Sequence, residues 1–206
     1  MPKTVKSLEA MEVPFNFHYP AGATIVTSRA HGRDNAMAVA WHTAISRQPA
    51  YYAVCVSSKR FTHSLITETK EFVVNFMPDE KSELVALVAG STGHEIAKFG
   101  SFQIASSQGS RVEAAVLADA FAAYECRVVG QHTYGDHDIF VGEILAVQFE
   151  SSHFQEDGRL ALEQIQPVVY LGRDWYAAVG KRSFHLDREA LVPAALERSQ
   201  ESARRQ

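Results

Sequence analysis

Residues 123–133 read AYECRVVGQHT and residues 138–150 read DIFVGEILAVQFE, with Tyr134-Gly135-Asp136-His137 between them. Both arms are rich in β-branched and aromatic residues, and the intervening residues are turn formers, so the stretch predicts two long antiparallel strands joined by a tight hairpin. Working outward, ATIVTS (23–28), AMAVAWH (36–42), AYYAVCVS (50–57) and EFVVNFM (71–77) read as further strands, and PVVYLG (167–172) leads into WYAAVG. The polar turn RAHGRDN (29–35), centred on Gly32, and the short link containing Pro49 leave no room for a crossover helix, so neighbouring strands run antiparallel. Phe61–Lys70 suits a short helix capped by Thr62. Glu80–Ala89 suits a second, with Leu84, Val85, Leu87 and Val88 on one stripe. Six or seven mostly antiparallel strands with a few short helices point to a mainly β chain, rolled into a small closed barrel rather than wound as a parallel sheet.

The 206 residues suit one domain with terminal appendages: a lead-in over residues 1–20, interrupted by Pro14 and Pro20, the barrel over 21–182, and a helix-prone tail over 183–206 with Pro193 placed as a first-turn residue. Hydrophobic residues make up 46% and charged residues 21%, a globular composition that excludes disordered, collagen-like and disulfide-scaffold classes. Twenty Lys and Arg against 24 Asp and Glu give a net charge of −4, which argues against a nucleic-acid partner. The opening MPKTVKSLEAMEVPF lacks the apolar core of a secretory signal, and no apolar run reaches the roughly 18 residues of a membrane span, so a cytoplasmic protein without a membrane partner is expected. Cys55 and Cys126 stand alone in apolar strands and read as small core residues, with nothing calling for a disulfide.

Several common chemistries are absent as motifs: no GxGxxG after a strand, no phosphate-binding GxxxxGK[ST], no HExxH and no GxSxG. The densest polar cluster is SSKRFTHS (57–64), where a strand ends and a helix begins. Free N–H groups at a helix start, with hydroxyls and cationic side chains beside them, suit one terminal phosphate; the other reading is a solvated loop with an N-cap. NAMAVAWHTAIS (35–46) alternates small side chains that let a flat ring lie against backbone, although such a strand is also simply one that packs tightly. His132, Asp136, His137 and Asp138 superficially resemble a metal site, but these are ordinary turn residues and adjacent strand residues face opposite ways, so no metal is expected. Nothing supports a side-chain nucleophile.

Taken in order, these segments resemble the flavin reductase-like family of FMN-binding split barrels. The resemblance runs from about Ala23 to Gly180 and is carried by the Arg60-x-Thr62 motif after the third strand, the EFVVN strand after the short helix, and the Glu125-Cys126 arm leading to GDHDIFVGE. It implies a homodimer binding FMN, or FAD, with NAD(P)H as electron donor and free flavin, ferric iron or a partner monooxygenase as acceptor. The alternative is a split barrel that binds flavin or haem without turnover. By the same resemblance, Asn35, Ala36, Met37, Ala38, Trp41, Thr43 and Ser46 face the flavin ring, and Ser57, Lys59, Arg60 and Thr62 hold its phosphate. Asn75 and Lys98 occupy recurrent cofactor positions, and His137 stands nearest the nicotinamide site. Phe61 replaces a residue that is usually polar in the family, and Trp41 is bulky for a ring-facing strand.

Overall fold

The computed structural model describes residues 17–187, together with Lys3, Val5 and Pro193. Twelve strands are formed: β1 (Ala21–Gly22), β2 (Thr24–Ala30), β3 (Arg33–Val39), β4 (His42–Arg47), β5 (Ala50–Ser57), β6 (Glu71–Phe76), β7 (Ser106–Gln108), β8 (Ala115–Leu117), β9 (Ala122–Tyr134), β10 (His137–Phe149), β11 (Val168–Gly172) and β12 (Trp175–Ala178). Seven of them make one antiparallel sheet in the order β3-β2-β6-β9-β10-β5-β4. The order itself dictates the shape. In a flat sheet the edge strands β3 and β4 would lie about 29 Å apart, six spacings of about 4.8 Å. Yet Val39 ends β3 and His42 begins β4, and three Cα steps span about 11 Å at most. The sheet must therefore curl until its edges approach, and Cys55 N, donating to Trp41 O at 2.9 Å, carries the β4–β5 ladder one step into the link. The result is a barrel with one seam, between β3 and the β4–β5 edge.

Within this frame the hairpin of residues 124–150 forms as expected, with His137 paired to Tyr134 and Gly135 at φ 62 in the two-residue turn. Three local expectations are corrected. The turn expected over residues 29–35 contracts to His31-Gly32, both at positive φ, because a two-residue turn of that kind matches the strand twist and lets Arg33–Asn35 join the ladder. The strand expected over Ala36–His42 is two strands, since Ala40 and Trp41 carry the chain from one edge of the sheet to the other. More strands form than the six or seven expected, because β1 joins β11 and β12 in a small second sheet and β7 pairs with β8.

Helix α1 (Phe61–Thr69) begins at Arg60, whose backbone is extended and whose side chain makes no cap bond. Thr62, expected to cap it, lies inside the first turn and is buried. Helix α2 (Ser82–Ala89) buries Val85 and Val88, while Leu87 points to solvent, because its position falls outside the 3–4 residue repeat of the buried face. A short third helix, α3 (Lys98–Ser101), follows. The tail expected from residue 183 lies outside the described residues beyond Asp187, apart from Pro193.

The barrel interior is filled by Val26, Val54, Val56, Phe72, Val74 and Phe140, with Ile66 of α1 closing one end. A second apolar layer joins Ile25, Ala36 and Leu117 to Val85 and Val88 of α2. Two fully buried polar groups brace the sheet. Asn75 donates to Ile25 O (3.0 Å) and Thr27 Oγ1 (3.2 Å) and accepts from Leu117 N (2.9 Å), tying β8 to β2. Glu125 accepts from Ser110 Oγ (2.7 Å), Arg111 N (2.6 Å) and Gln148 Nε2 (2.7 Å), and these bonds outweigh burial and hold its carboxyl below the usual range. Cys55 and Cys126 are free thiols, and burial pushes the Cys126 thiol up to about 12.

At Gly142 the close approach leaves no room for a side chain: an added Cβ would meet Phe72 Cζ at 2.7 Å and Cys126 Cβ at 2.8 Å. Gly142→Ala is expected to lower unfolding stability by about 1–3 kcal/mol, measured as a shift in the urea midpoint, while the same change at open Gly100 leaves no such clash.

Candidate functional site

A cavity of about 380 Å³ opens at the seam, within the ~300–1,000 Å³ typical of small-molecule sites. Residues 37–41 all line it. A strand whose side chains alternate can present consecutive residues only along its edge, so the cavity runs beside the unpaired edge of β3 and its continuation. Along such an edge, every second residue turns both its N–H and its C=O away from the neighbouring strand. That is a ready-made surface for the polar rim of a flat ring.

One end of the cavity is cationic. Arg60, at the start of α1, and Lys98, at the start of α3, both line it. Lys98 is almost wholly buried, its Nζ donating to Val88 O at 2.7 Å. Burial, with the Arg60 charge adding to it, lowers the Lys98 ammonium to about 8. Among the described residues neither cation has a carboxylate within 4 Å. Two positive groups converging on one hollow without a counter-charge favour an anion. Hydroxyls and small residues complete this end: Ser57, Thr62 and the loop Gly90-Ser91-Thr92-Gly93. Asn35 Nδ2 donates to Thr62 Oγ1 at 2.7 Å. Gly93 sits so close to Asn35 and Phe61 that a Cβ there would come within 2.3 Å of Asn35 Oδ1 and 2.5 Å of Phe61 Cδ1. Phe61 is itself held between the Arg33 guanidinium, 4.6 Å from its ring centre, and the His94 ring at 5.0 Å.

An aromatic wall also lines the cavity, and its His137 is paired in register with Ser57. Trp41 Nε1 donates to Tyr19 Oη at 3.1 Å, and the Trp41 ring lies 5.0 Å from that of His137. Tyr19 meets Tyr170 edge-on at 5.3 Å, and Tyr170 packs against Tyr176 at the same distance. His137 Nδ1 donates to Asp136 Oδ1 at 2.8 Å, a bond that keeps the Asp136 carboxyl below its usual range and fixes the ring so that Nε2 is the nitrogen left for a ligand.

Of the residues singled out from sequence, Asn35, Met37, Ala38, Trp41, Ser57, Arg60, Thr62, Lys98 and His137 line this one cavity. Five do not. Ala36 turns into the apolar layer under α2 and Asn75 into the sheet interior, where its hydrogen bonds are used. Thr43 and Ser46 lie on β4 beyond the chain crossing, and Lys59 stays in solvent because the chain turns at Ser57–Arg60. Sequence reading passed over the Gly90–Gly93 loop, although two glycines enclosing Ser91-Thr92 are a turn signal, and over Tyr19, Tyr170 and Tyr176, which only the small second sheet brings to the seam. Among the described residues no three potential metal ligands gather, and Asp138 is instead paired with His63.

An antiparallel barrel split along one seam, with a cationic helix start and an exposed strand edge lining the opening, defines a split barrel. The chain belongs to the flavin reductase like domain family, whose model matches residues 17–178. It is 32% identical over 168 residues to an uncharacterised protein of Aeropyrum pernix, covering 81% of this chain but 62% of that longer relative. It is 29% identical over 162 residues to the reductase component of the FADH(2)-dependent resorcinol hydroxylase of a Rhizobium species, covering 78% of this chain and 82% of the relative. Among solved structures it resembles the FMN-binding protein of Thermus thermophilus with bound 1-cyclohex-2-enone, at 30% identity and a TM-score of 0.80, over 90% of this chain and all of that one.

The lowered Lys98 ammonium gives the site a pH dependence of known sign. Below about pH 8 the side chain is charged, and above it an arriving anion must first bring a proton back. Affinity for a phosphate monoester is expected to fall by up to about tenfold per pH unit above pH 8. Titration calorimetry at stepped pH should show this slope in the parent protein and its loss in Lys98→Met.

Proposed function

We propose that this chain is an FMN-binding flavin reductase, taking electrons from NAD(P)H and delivering them to free flavin or to a partner oxygenase. The observation that carries this reading is what gathers around one cavity: Arg60 and Lys98 without a carboxylate partner among the described residues, an open strand edge and an aromatic wall. A phosphate monoester attached to a planar polar ring matches these three features. Arg60, Lys98, Ser57 and Thr62 hold the phosphate, and the edge of residues 37–41 meets the ring rim. The named activity of the Rhizobium relative as a reductase component supports the same assignment.

When bound, FMN supplies the two-electron chemistry, accepting a hydride and passing electrons on. The chain supplies placement. Trp41 and Tyr19, joined by their hydrogen bond, narrow the approach at the aromatic wall. His137 presents Nε2 beside it, held by Asp136, and is suited to orient the carboxamide of a nicotinamide. The apolar lining from Val85, Val88 and Cys55 keeps water from much of the remaining wall.

No helix among the described residues is long and apolar enough to cross a membrane. We assign the protein to the cytoplasm, on its composition, and to a homodimer. The outer surface of the main sheet leaves Ile45 and Val129 each 52% exposed, and a second copy would cover them. Light scattering is expected to give the mass of two chains, and Val129→Lys to shift it toward one.

The direct test is retention of FMN through desalting, read by the flavin's visible absorption, followed by bleaching with NADH or NADPH under anaerobic conditions. Arg60→Ala is expected to weaken FMN binding about 10–100-fold, the worth of one charge-assisted contact of about 1.5–3 kcal/mol. Retention of FMN without any bleaching would turn the assignment to a flavin-binding protein without turnover. Retention of haem in its place would turn it to a haem binder.

A further inference from the structure

The proposed phosphate end depends on the first turn of α1 standing at the seam, and no capping side chain holds that turn. Two consecutive residues hold it instead, reaching in opposite directions. Thr62 Oγ1 takes the amide of Asn35 on β3, at one bank of the seam. His63 reaches the other bank: its Nε2 donates to Asp138 Oδ2 on β10 at 2.8 Å, with both side chains largely buried, at 15% and 9% exposure. The His63 ring stands edge-on to Phe140 at 5.2 Å, and Gln131 Nε2 donates to the same Asp138 oxygen at 2.7 Å. Asp138 is paired in register with Val56, next to Ser57, so the carboxylate is built on the strand pair that ends at the cavity.

Neither His63 nor Asp138 lines the cavity. A buried, backed polar pair here is more than packing requires, since such pairs add little net stability over apolar residues of the same shape and instead fix geometry. We propose that His63 and Asp138 are positioning residues that clamp the first turn of α1, so that Arg60 and the free N–H groups of the helix start are aimed at the phosphate of a bound flavin. The inference rests on the flavin-phosphate reading above and adds residues to it that act only through the helix start.

The clamp makes a selective claim. Losing it should disturb recognition of the phosphate and leave recognition of the ring alone, because the strand edge of residues 37–41 is held by β2 and by the chain crossing. The experiment compares dissociation constants of FMN and riboflavin, by quenching of flavin fluorescence, in the parent protein, His63→Ala, His63→Gln and Asp138→Asn. His63→Ala is expected to weaken FMN by roughly tenfold or more while riboflavin changes less than about twofold. His63→Gln, which keeps an N–H donor at a similar reach, should recover most of the loss. Asp138→Asn should show the same selectivity at smaller size, and its near-identical shape keeps the test available if the alanine variant does not fold.

Equal losses for the two flavins, or none for either, would overturn the clamp while leaving the flavin assignment in place. A parent protein that binds FMN no better than riboflavin would remove the phosphate reading and the clamp with it.

Discussion

Everything in this molecule follows from the two residues that join β3 to β4. Seven antiparallel strands could lie open, but Ala40 and Trp41 are too short a tether to let the edges separate. The sheet rolls, its apolar side becomes an interior filled by Val54, Phe72 and Phe140, and one seam remains where strand edges meet without a full ladder. Unpaired backbone is ordinarily a hazard at a sheet edge. Here it is sheltered inside a cleft, where α1, the 90–93 loop and the small β1-β11-β12 sheet wall it in. The fold thus makes its binding surface out of the place where its own hydrogen bonding stops.

The charges obey the same economy. Burial and the neighbouring arginine disfavour the charged form of Lys98, and its ammonium falls to about 8. An anion between the two side chains would remove that cost. Elsewhere buried carboxylates are hydrogen-bonded within the chain: Glu125 by donors from a loop and a strand, Asp138 by His63 and Gln131. The contrast between satisfied and unsatisfied charge separates the braces of the fold from the site.

Much of this was legible in the sequence, for reasons that differ from place to place. The long hairpin could be read because β-branched alternation and a Gly-Asp turn agree over more than twenty residues. That Ser57, Arg60 and Thr62 share one cavity could be read because they are close in sequence where a strand meets a helix. The crossing at Ala40-Trp41 could not, because an extended chain passing from one edge to another looks like an uninterrupted strand. Asn75 misled for a related reason. A polar residue in a β-rich run signals either a ligand or a buried brace, and only the neighbouring strands, β2 and β8, decide between them. The aromatic wall was hidden altogether, since Tyr19, Trp41 and Tyr170 are brought together by closure rather than by any local pattern.

The protein has two tryptophans, and the fold puts them in opposite surroundings. Trp175 stands 71% exposed on the last hairpin, whereas Trp41 lines the cleft between Tyr19 and His137. Nature has in effect built an optical gauge into the barrel: one indole reports on the bulk solvent and the other on the interior of the cleft. A guest in the cleft is expected to change the emission of Trp41 by contact, so that occupancy can be followed in the protein's own ultraviolet fluorescence without any added label.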